Sequence, residues 1–314
     1  MKILVTGGLG FIGSNFIHYW IKKYPEDSIV NMDKVTYAAD FKNLAGVYKN
    51  RRYSFIKGDI ADKDFVNMVS KDVDLIVNFA AETHVDNSIT GQAPFLNSNV
   101  MGTYALLEAA RKYDIRIHHI STDEVYGSLS QNSAEKFNEK SRYNPQNPYS
   151  ATKAASDHLI NSYHNTYGTE STISNCGNNY GPRQHPEKLI PKAITNAIRN
   201  RQIPIYGNGE QIRDWIYVED HCRAIDAVIK KGRIGESYVV SAGNEIKNIE
   251  VVKTVLSILK KSESLIKHVK DRPGHDIRYA LDASKIKREL GWKPKMSFNE
   301  GIGITIDYYN GKQN

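Results

Sequence analysis

The run Met1-Lys2-Ile3-Leu4-Val5-Thr6-Gly7-Gly8-Leu9-Gly10-Phe11-Ile12-Gly13-Ser14 decides the fold. An apolar strand pattern over 2–6 runs directly into glycines, and a helical pattern begins at 14. Gly7, Gly10 and Gly13 fit the spacing G-x-x-G-x-x-G, while Gly8, Gly10 and Gly13 fit G-x-G-x-x-G. Glycines in such a turn permit a tight backbone, close approach to a pyrophosphate and close packing of the helix on the strand. The helix start at Phe11, Ile12 and Gly13 brings free N–H groups and a positive dipole end to the phosphates. Either spacing alone is a weak signal. Here the strand before, the helix after and the acidic Asp33 about 20 residues on supply the required context. Asp33 can accept from ribose hydroxyls and would repel the extra phosphate of NADP, so NAD is the expected cofactor. Lys34 beside it keeps NADP open as an alternative.

Outward from this turn, the first half alternates short strands with amphipathic helices, which implies βαβ units and a parallel sheet covered on both faces. Strands are predicted at 2–6, 28–32, 53–56, 75–79, 116–121 and 171–174, and helices at 14–23, 64–70, 95–113 and 149–167. After about Gly177 the pattern loosens around Pro182, Pro186, Pro191 and Pro204, then helices return at 249–261, 283–290 and 299–309. The expected architecture is α/β: a Rossmann doubly wound parallel sheet over 1–177, to which later segments can return, and a smaller mixed α/β substrate-binding domain mainly in 178–314.

Composition sets the outer limits. Of 314 residues 40% are hydrophobic and 25% charged, the profile of a folded globular chain. The net charge of +7 suits an anionic ligand, although a basic surface alone says more about steering than function. Basic residues are spread along the chain, so no nucleic-acid arm is expected. No apolar run approaches the roughly 18 residues that would span a bilayer. The glycine turn follows Met1 too closely for a signal peptide, and Cys176 and Cys222 have no metal-type spacing around them. A cytoplasmic protein with two buried free thiols and no metal is expected.

The chemistry-bearing residues lie further along. Tyr149-Ser150-Ala151-Thr152-Lys153 puts a phenol and an ammonium four residues apart, on one helix face. An adjacent cation favours phenolate, which would lower the tyrosine pKa and make it a base. The strand at 116–121 ends in Thr122-Asp123-Glu124, at the carboxyl end where such sheets bind ligands. Two adjacent carboxylic residues there suit an acid and a base for separate proton transfers, with Thr122 bonding a sugar hydroxyl. Acidic residues on an exposed loop are the plainer alternative.

The segment Ser121-Thr122-Asp123-Glu124-Val125-Tyr126-Gly127, with Tyr149 and Lys153, resembles the catalytic region of the dTDP-glucose 4,6-dehydratases, extended short-chain dehydrogenases of the NAD-dependent epimerase/dehydratase group. Further matching segments are 80–86, 178–182, 185–191, 213–215 and 271–276, so the resemblance covers nearly the whole chain. It implies that Asp33, Lys34, Val35, Thr36, Asp59 and Ile60 hold the adenosine half of NAD, with Ala80, Ala81, Thr83, Ser98 and Asn179 along the cofactor. For the nucleotide-diphosphate sugar it implies a pocket of His84, Asn178, Lys188, Leu189, Pro204, Tyr206, Arg213, Asn248, Asp271, Arg272 and His275. The two arginines suit a diphosphate through forked hydrogen bonds, or each closes a structural ion pair. A homodimer through the helices at 95–113 and 149–167 is also implied. Asn175, Asn87 and Arg183 depart from the family pattern, which has arginine, arginine and tyrosine there. These changes bear on the nucleotide base and the hexose.

The resemblance implies transient oxidation at C4 by Tyr149 and Lys153, then water loss driven by Asp123 as acid and Glu124 as base. A nucleotide-sugar 4-epimerase needs the same tyrosine and lysine but no acid and base for water loss. A uronate decarboxylase needs a basic contact for the substrate carboxylate. A dinucleotide-binding sensor without turnover needs none of the four.

Overall fold

The computed structural model describes residues 1–271 and 273–311. Among the described residues twelve strands follow one another: β1 Lys2–Thr6, β2 Ser28–Asp33, β3 Tyr53–Lys57, β4 Leu75–Asn78, β5 Arg116–Thr122, β6 Ser171–Cys176, β7 Asn178–Tyr180, β8 Ile203–Tyr206, β9 Ile212–Tyr217, β10 Ser237–Val240, β11 Glu245–Lys247 and β12 Ile266–Val269. Seven form one sheet in the order β10-β6-β5-β4-β1-β2-β3. All its pairings are parallel. The chain order reverses between β1 and β4, which opens a crevice at the carboxyl ends of these strands.

Helices cover both faces, so the central strands are buried almost throughout, and β1 and β4 carry continuous apolar runs instead of alternating ones. On one face Phe16, Ile17 and Trp20 of the helix Phe11–Lys23 pack with Cys222, Ile225 and Ile229 of the helix Val218–Lys231. On the other, Val66, Leu106 and Ile160 come from the helices Lys63–Ser70, Gly102–Tyr113 and Pro148–Tyr167. The edge strand β10 and the helix Val218–Lys231 both come from beyond residue 177 and return to the large sheet.

The remaining strands form a mixed sheet β11-β9-β7 and a parallel pair β12-β8. A separate core joins them to the helices Leu189–Ile198, Asn248–Ile258 and Phe298–Gly311 through Tyr180, Ile194, Trp215, Val252 and Ile302.

The stretch predicted as one helix over 95–113 is a short helix Ala93–Phe95, a π-helical turn Leu96–Met101 and the helix Gly102–Tyr113. The wide turn lets the Asn99 side chain accept from the Glu82 N–H at 2.9 Å and donate to the Glu82 carbonyl at 3.1 Å and to Thr152 Oγ1 at 2.9 Å. It ties the loop after β4 to the helix carrying Tyr149. Among the described residues no helix is long and apolar enough to cross a membrane. Cys176 and Cys222 are free and buried.

Candidate active site

β1 ends at a turn that only glycine satisfies. Gly7 has φ +71°, and a Cβ there would lie 2.7 Å from the Ala80 backbone; one on Gly13 would lie 2.5 Å from the Gly7 carbonyl oxygen. Gly10 caps the helix Phe11–Lys23 without a side chain, and the first turn has no acidic residue. Its N–H groups therefore meet the crevice with no side-chain acceptor, a cradle that fits a pyrophosphate. Gly13→Ala forces backbone against backbone. The expected result is a stability loss of about 1–3 kcal/mol together with weakened NAD binding, read by thermal melting and by cofactor titration.

From this cradle a cleft of about 310 Å³ runs along the carboxyl ends of the strands. Gly7, Gly10, Phe11, Ile12, Gly13, Asp33, Lys34, Thr36, Asp59, Ile60, Ala80, Ala81, Thr83, Ser98, Asn178, Asn179, Thr122, Asp123, Glu124, Tyr149 and Lys153 all line it. Asp33 accepts from the N–H of Leu9 at 3.0 Å and of Val35 at 2.8 Å, so its carboxylate also braces the glycine turn. Lys34 is paired with Asp59 at 2.6 Å, which engages the cation that would otherwise serve NADP. Val35 has φ +62° and its side chain packs against the core beneath, so it is not among the residues that line the cleft.

At the far end stand the proton-transfer groups. Asn147 caps the helix Pro148–Tyr167 in a reciprocal pair with Ser150, and Pro148 begins its first turn, so Tyr149 is held at a rigid helix start. Lys153, one turn on, donates to the Ile120 carbonyl at 2.7 Å and faces His119 Nε2 at 3.1 Å. Burial lowers the Lys153 pKa to about 8, against the opposing charge of Asp157. The expectation that Lys153 acidifies Tyr149 is not met by the protein alone. Burial, reinforced by the charge of Glu124, holds the phenol well above its usual value, and a hydrogen bond with Thr122 opposes this.

Asp123 is 2% exposed. Its Oδ1 accepts from Thr122 Oγ1 at 3.2 Å, while Oδ2 has no hydrogen-bond partner among the described residues. Burial, then the charges of Glu124 and Asp214, push its pKa well above the carboxylate range, which favours the neutral acid. Glu124 is only half-buried, takes a long contact of 3.4 Å from Asn147 Nδ2, and lines both this cleft and the next. Adjacent carboxyl groups thus receive different environments: both line the first cleft, but Asp123 is almost fully buried and Glu124 also faces the adjoining one.

The adjoining cleft, about 210 Å³, is lined by His84, Asn178, Lys188, Leu189, Pro204, Tyr206, Arg213, Asn248 and His275. Arg213 donates to the carbonyls of Ile212 and Asp276 and stacks 4.3 Å over the Tyr279 ring. Asp271 accepts from Gln211 Nε2 at 2.9 Å and contacts Nδ1 of His275, a residue that lines this cleft, at 2.6 Å. Arg272 lies outside the described residues. None of Asn175, Asn87 and Arg183 lines either cleft. Asn175 donates to Asp157 at 3.2 Å, and Arg183 to Asn15 Oδ1 at 2.8 Å.

Reading the sequence missed the groups behind Lys153. His119 contacts Asn78 Nδ2 through Nδ1 at 3.1 Å, and its Nε2 is 3.6 Å from Asp157 Oδ1. Ser121 and Tyr143 donate to Asp157 Oδ2 at 2.7 and 2.9 Å. The available signal was a pair of adjacent histidines, His118 and His119, in the middle of a strand whose residues are almost all buried. Also unforeseen among the lining residues were Glu82, Gln184, His185, Glu187 and Lys192.

The chain matches the family model described as GDP-mannose 4,6 dehydratase over residues 4–305. It is 49% identical to a dTDP-glucose 4,6-dehydratase of Escherichia coli, covering 98% of this chain and 93% of that protein. It is 46% identical to the dTDP-glucose 4,6-dehydratase of Mycobacterium tuberculosis, over 98% of this chain and 93% of the other. The crystal structure of DesIV, the dTDP-glucose 4,6-dehydratase of Streptomyces venezuelae solved with NAD, superposes with TM-score 0.97 at 44% identity, over 100% of this chain and 98% of that one. With its cradle, its Tyr149 and Lys153 pair and its buried Asp123 beside Glu124, the chain belongs to the GDP-mannose 4,6 dehydratase family and, within it, to the dTDP-glucose 4,6-dehydratases.

Proposed function

We infer that this chain is an NAD-dependent hydro-lyase that converts dTDP-glucose to dTDP-4-keto-6-deoxyglucose and water. The observation that carries the reading is Asp123, a carboxyl group buried beside Glu124 with one oxygen that has no hydrogen-bond partner among the described residues. Oxidation at C4 needs only Tyr149 and Lys153; loss of water needs an acid and a base as well, which an epimerase does without.

The glycine turn and Asp33 would hold NAD, which would supply a hydride acceptor for C4 and the hydride for C6. Tyr149 takes the proton of the 4-hydroxyl, with the Lys153 ammonium beside it. The ketone then acidifies C5. Glu124 removes the C5 proton while Asp123 donates to the departing 6-hydroxyl, and Glu124 later returns its proton to C5. Lys188 and Arg213 supply positive charge for the diphosphate in the adjoining cleft. The three departures from the family pattern lie off both clefts, which supports dTDP-glucose as the substrate.

Lys153 must stay charged in this scheme. The kcat/KM of the free enzyme is expected to fall as pH rises through about 8, where the buried amine loses its proton. A pH profile checks this, and a basic limb near 8 that persists in the residual activity of Asp123→Asn belongs to Lys153 rather than to Asp123.

The reading extends to assembly and location. A homodimer is supported by apolar side chains left exposed along the two long helical segments: Leu96, Met101 and Tyr167 are each at least half exposed. Sedimentation is expected to give the mass of two chains. A cytoplasmic location is supported by the free thiols.

The direct test is incubation of the purified protein and NAD with dTDP-glucose, UDP-glucose and GDP-mannose separately, followed by mass spectrometry. Loss of one water from dTDP-glucose alone is expected. Unchanged mass with inversion at C4 makes the enzyme an epimerase.

A further inference from the structure

We propose that His119 and Asp157 are positioning residues for Lys153: the imidazole accepts one proton of the ammonium, and the carboxylate behind it is the counter-charge that holds the amine in its working state. The proposal rests on the dehydratase reading, in which Lys153 acts as an ammonium beside Tyr149. Lys153 is 3% exposed. A buried ammonium sheds its proton unless acceptors and an opposing charge meet it. Its three N–H bonds therefore have to be accounted for.

One goes to the Ile120 carbonyl at 2.7 Å and a second to His119 Nε2 at 3.1 Å. The third is left for the cleft that Lys153 lines together with Tyr149. An ammonium only donates, so Nε2 has to accept. Burial and then the Lys153 charge keep the imidazole neutral, and its single proton lies on Nδ1. There the Asn78 amide stands 3.1 Å away, and its oxygen and nitrogen exchange places by a half-turn, so it serves either tautomer.

Asp157 follows Lys153 by four residues on the helix Pro148–Tyr167, so Tyr149, Lys153 and Asp157 form one stripe along it. Ser121 of β5, Tyr143 of the loop before the helix and Asn175 of β6 donate to its Oδ2 at 2.7, 2.9 and 3.2 Å. Three donors on one oxygen favour the carboxylate. The other oxygen is left to His119: Oδ1 lies 3.6 Å from Nε2 and has no hydrogen-bond partner among the described residues. Burial opposes the charge on Asp157, and the Lys153 charge is the largest effect that restores it. The dependence is mutual, since burial opposes the Lys153 charge and Asp157 is the largest effect that sustains it. The other groups around the amine do not replace Asp157. Burial keeps the Cys176 thiol of β6 and the Tyr149 phenol protonated and His118 of β5 neutral. Beyond Tyr149, burial favours the neutral acid at Asp123, and Glu124 opens to the second cleft.

The test is the pH profile of kcat/KM for dehydration of dTDP-glucose by the full enzyme with NAD, comparing Asp157→Asn, His119→Leu and His119→Gln. Asp157→Asn keeps an oxygen for Ser121 and Tyr143 but removes the charge. The basic limb, near 8 in the unaltered enzyme, is expected to move down by about one pH unit, so that the loss of activity grows about 10-fold between pH 6 and pH 9. His119→Leu moves the limb in the same direction, and His119→Gln, whose amide oxygen stands in for Nε2, brings it back. A limb that stays near 8 in either Asp157→Asn or His119→Leu, with activity lost equally at every pH, overturns the proposal and leaves the dehydratase reading intact. If Asp157→Asn does not fold, the two His119 variants decide by the same criterion. If the unaltered enzyme removes water from no sugar nucleotide, the dehydratase reading itself fails and takes the proposal with it.

Discussion

Tyr149→Phe is expected to lower kcat by about 10²–10⁴-fold, the range a positioned general base contributes. The substitution removes one oxygen from a helix start fixed by Asn147, Ser150 and Pro148, so the backbone and the packing against Phe95 remain. What is lost is the acceptor for the 4-hydroxyl proton. Because oxidation at C4 must precede water loss, both steps stop together, and reduced cofactor does not accumulate on mixing with substrate. Rapid mixing followed at the absorbance of reduced nicotinamide checks this. Appearance of reduced cofactor at the unaltered rate would remove Tyr149 from the first step.

Asp123→Asn separates the two steps. An asparagine fills the same buried space but has no acid proton to give to the 6-hydroxyl. Oxidation at C4 is expected to persist while elimination slows by about 10²-fold or more. Reduced cofactor then builds up on the enzyme at a rate near that of the unaltered protein and decays slowly. Equal slowing of both steps contradicts the acid role. The environment explains why this residue and not its neighbour holds the proton: Asp123 is dry and faces the charges of Glu124 and Asp214, whereas Glu124 reaches both clefts.

The parts of this site that were legible in the sequence are those set by local geometry. The glycine turn is forced by contacts with Ala80 and with Gly7 itself, and a motif with fixed spacing reports it directly. Tyr149 and Lys153 share a helix face because four residues make about one turn. Thr122, Asp123 and Glu124 follow from the position of a strand end.

What escaped depends on contacts distant in sequence. That a later segment can return to the large sheet was expected, but not that β10 is the one, paired with β6, because no local periodicity encodes that partner. The π-helical turn at Leu96–Met101 is set by Asn99 reaching Glu82 and Thr152. Asp271 carries the charge expected of a pocket residue but turns to Gln211 and His275. Val35 takes a left-handed backbone because its N–H is drawn to Asp33, and its side chain goes to the core. The Tyr149 pKa fell on the wrong side because spacing reveals a neighbouring cation but not burial, and burial is the larger effect.

The measurement that goes to the centre of the account is conversion of dTDP-glucose carrying deuterium at C4, with the product examined by nuclear magnetic resonance. A 4-keto product that has lost water and carries the deuterium at C6 is expected, because the hydride leaves C4 and returns within one active site. Deuterium retained at C4 in a product of unchanged mass, or a dehydrated product without it, would contradict transient oxidation at C4 as the step that makes water loss possible.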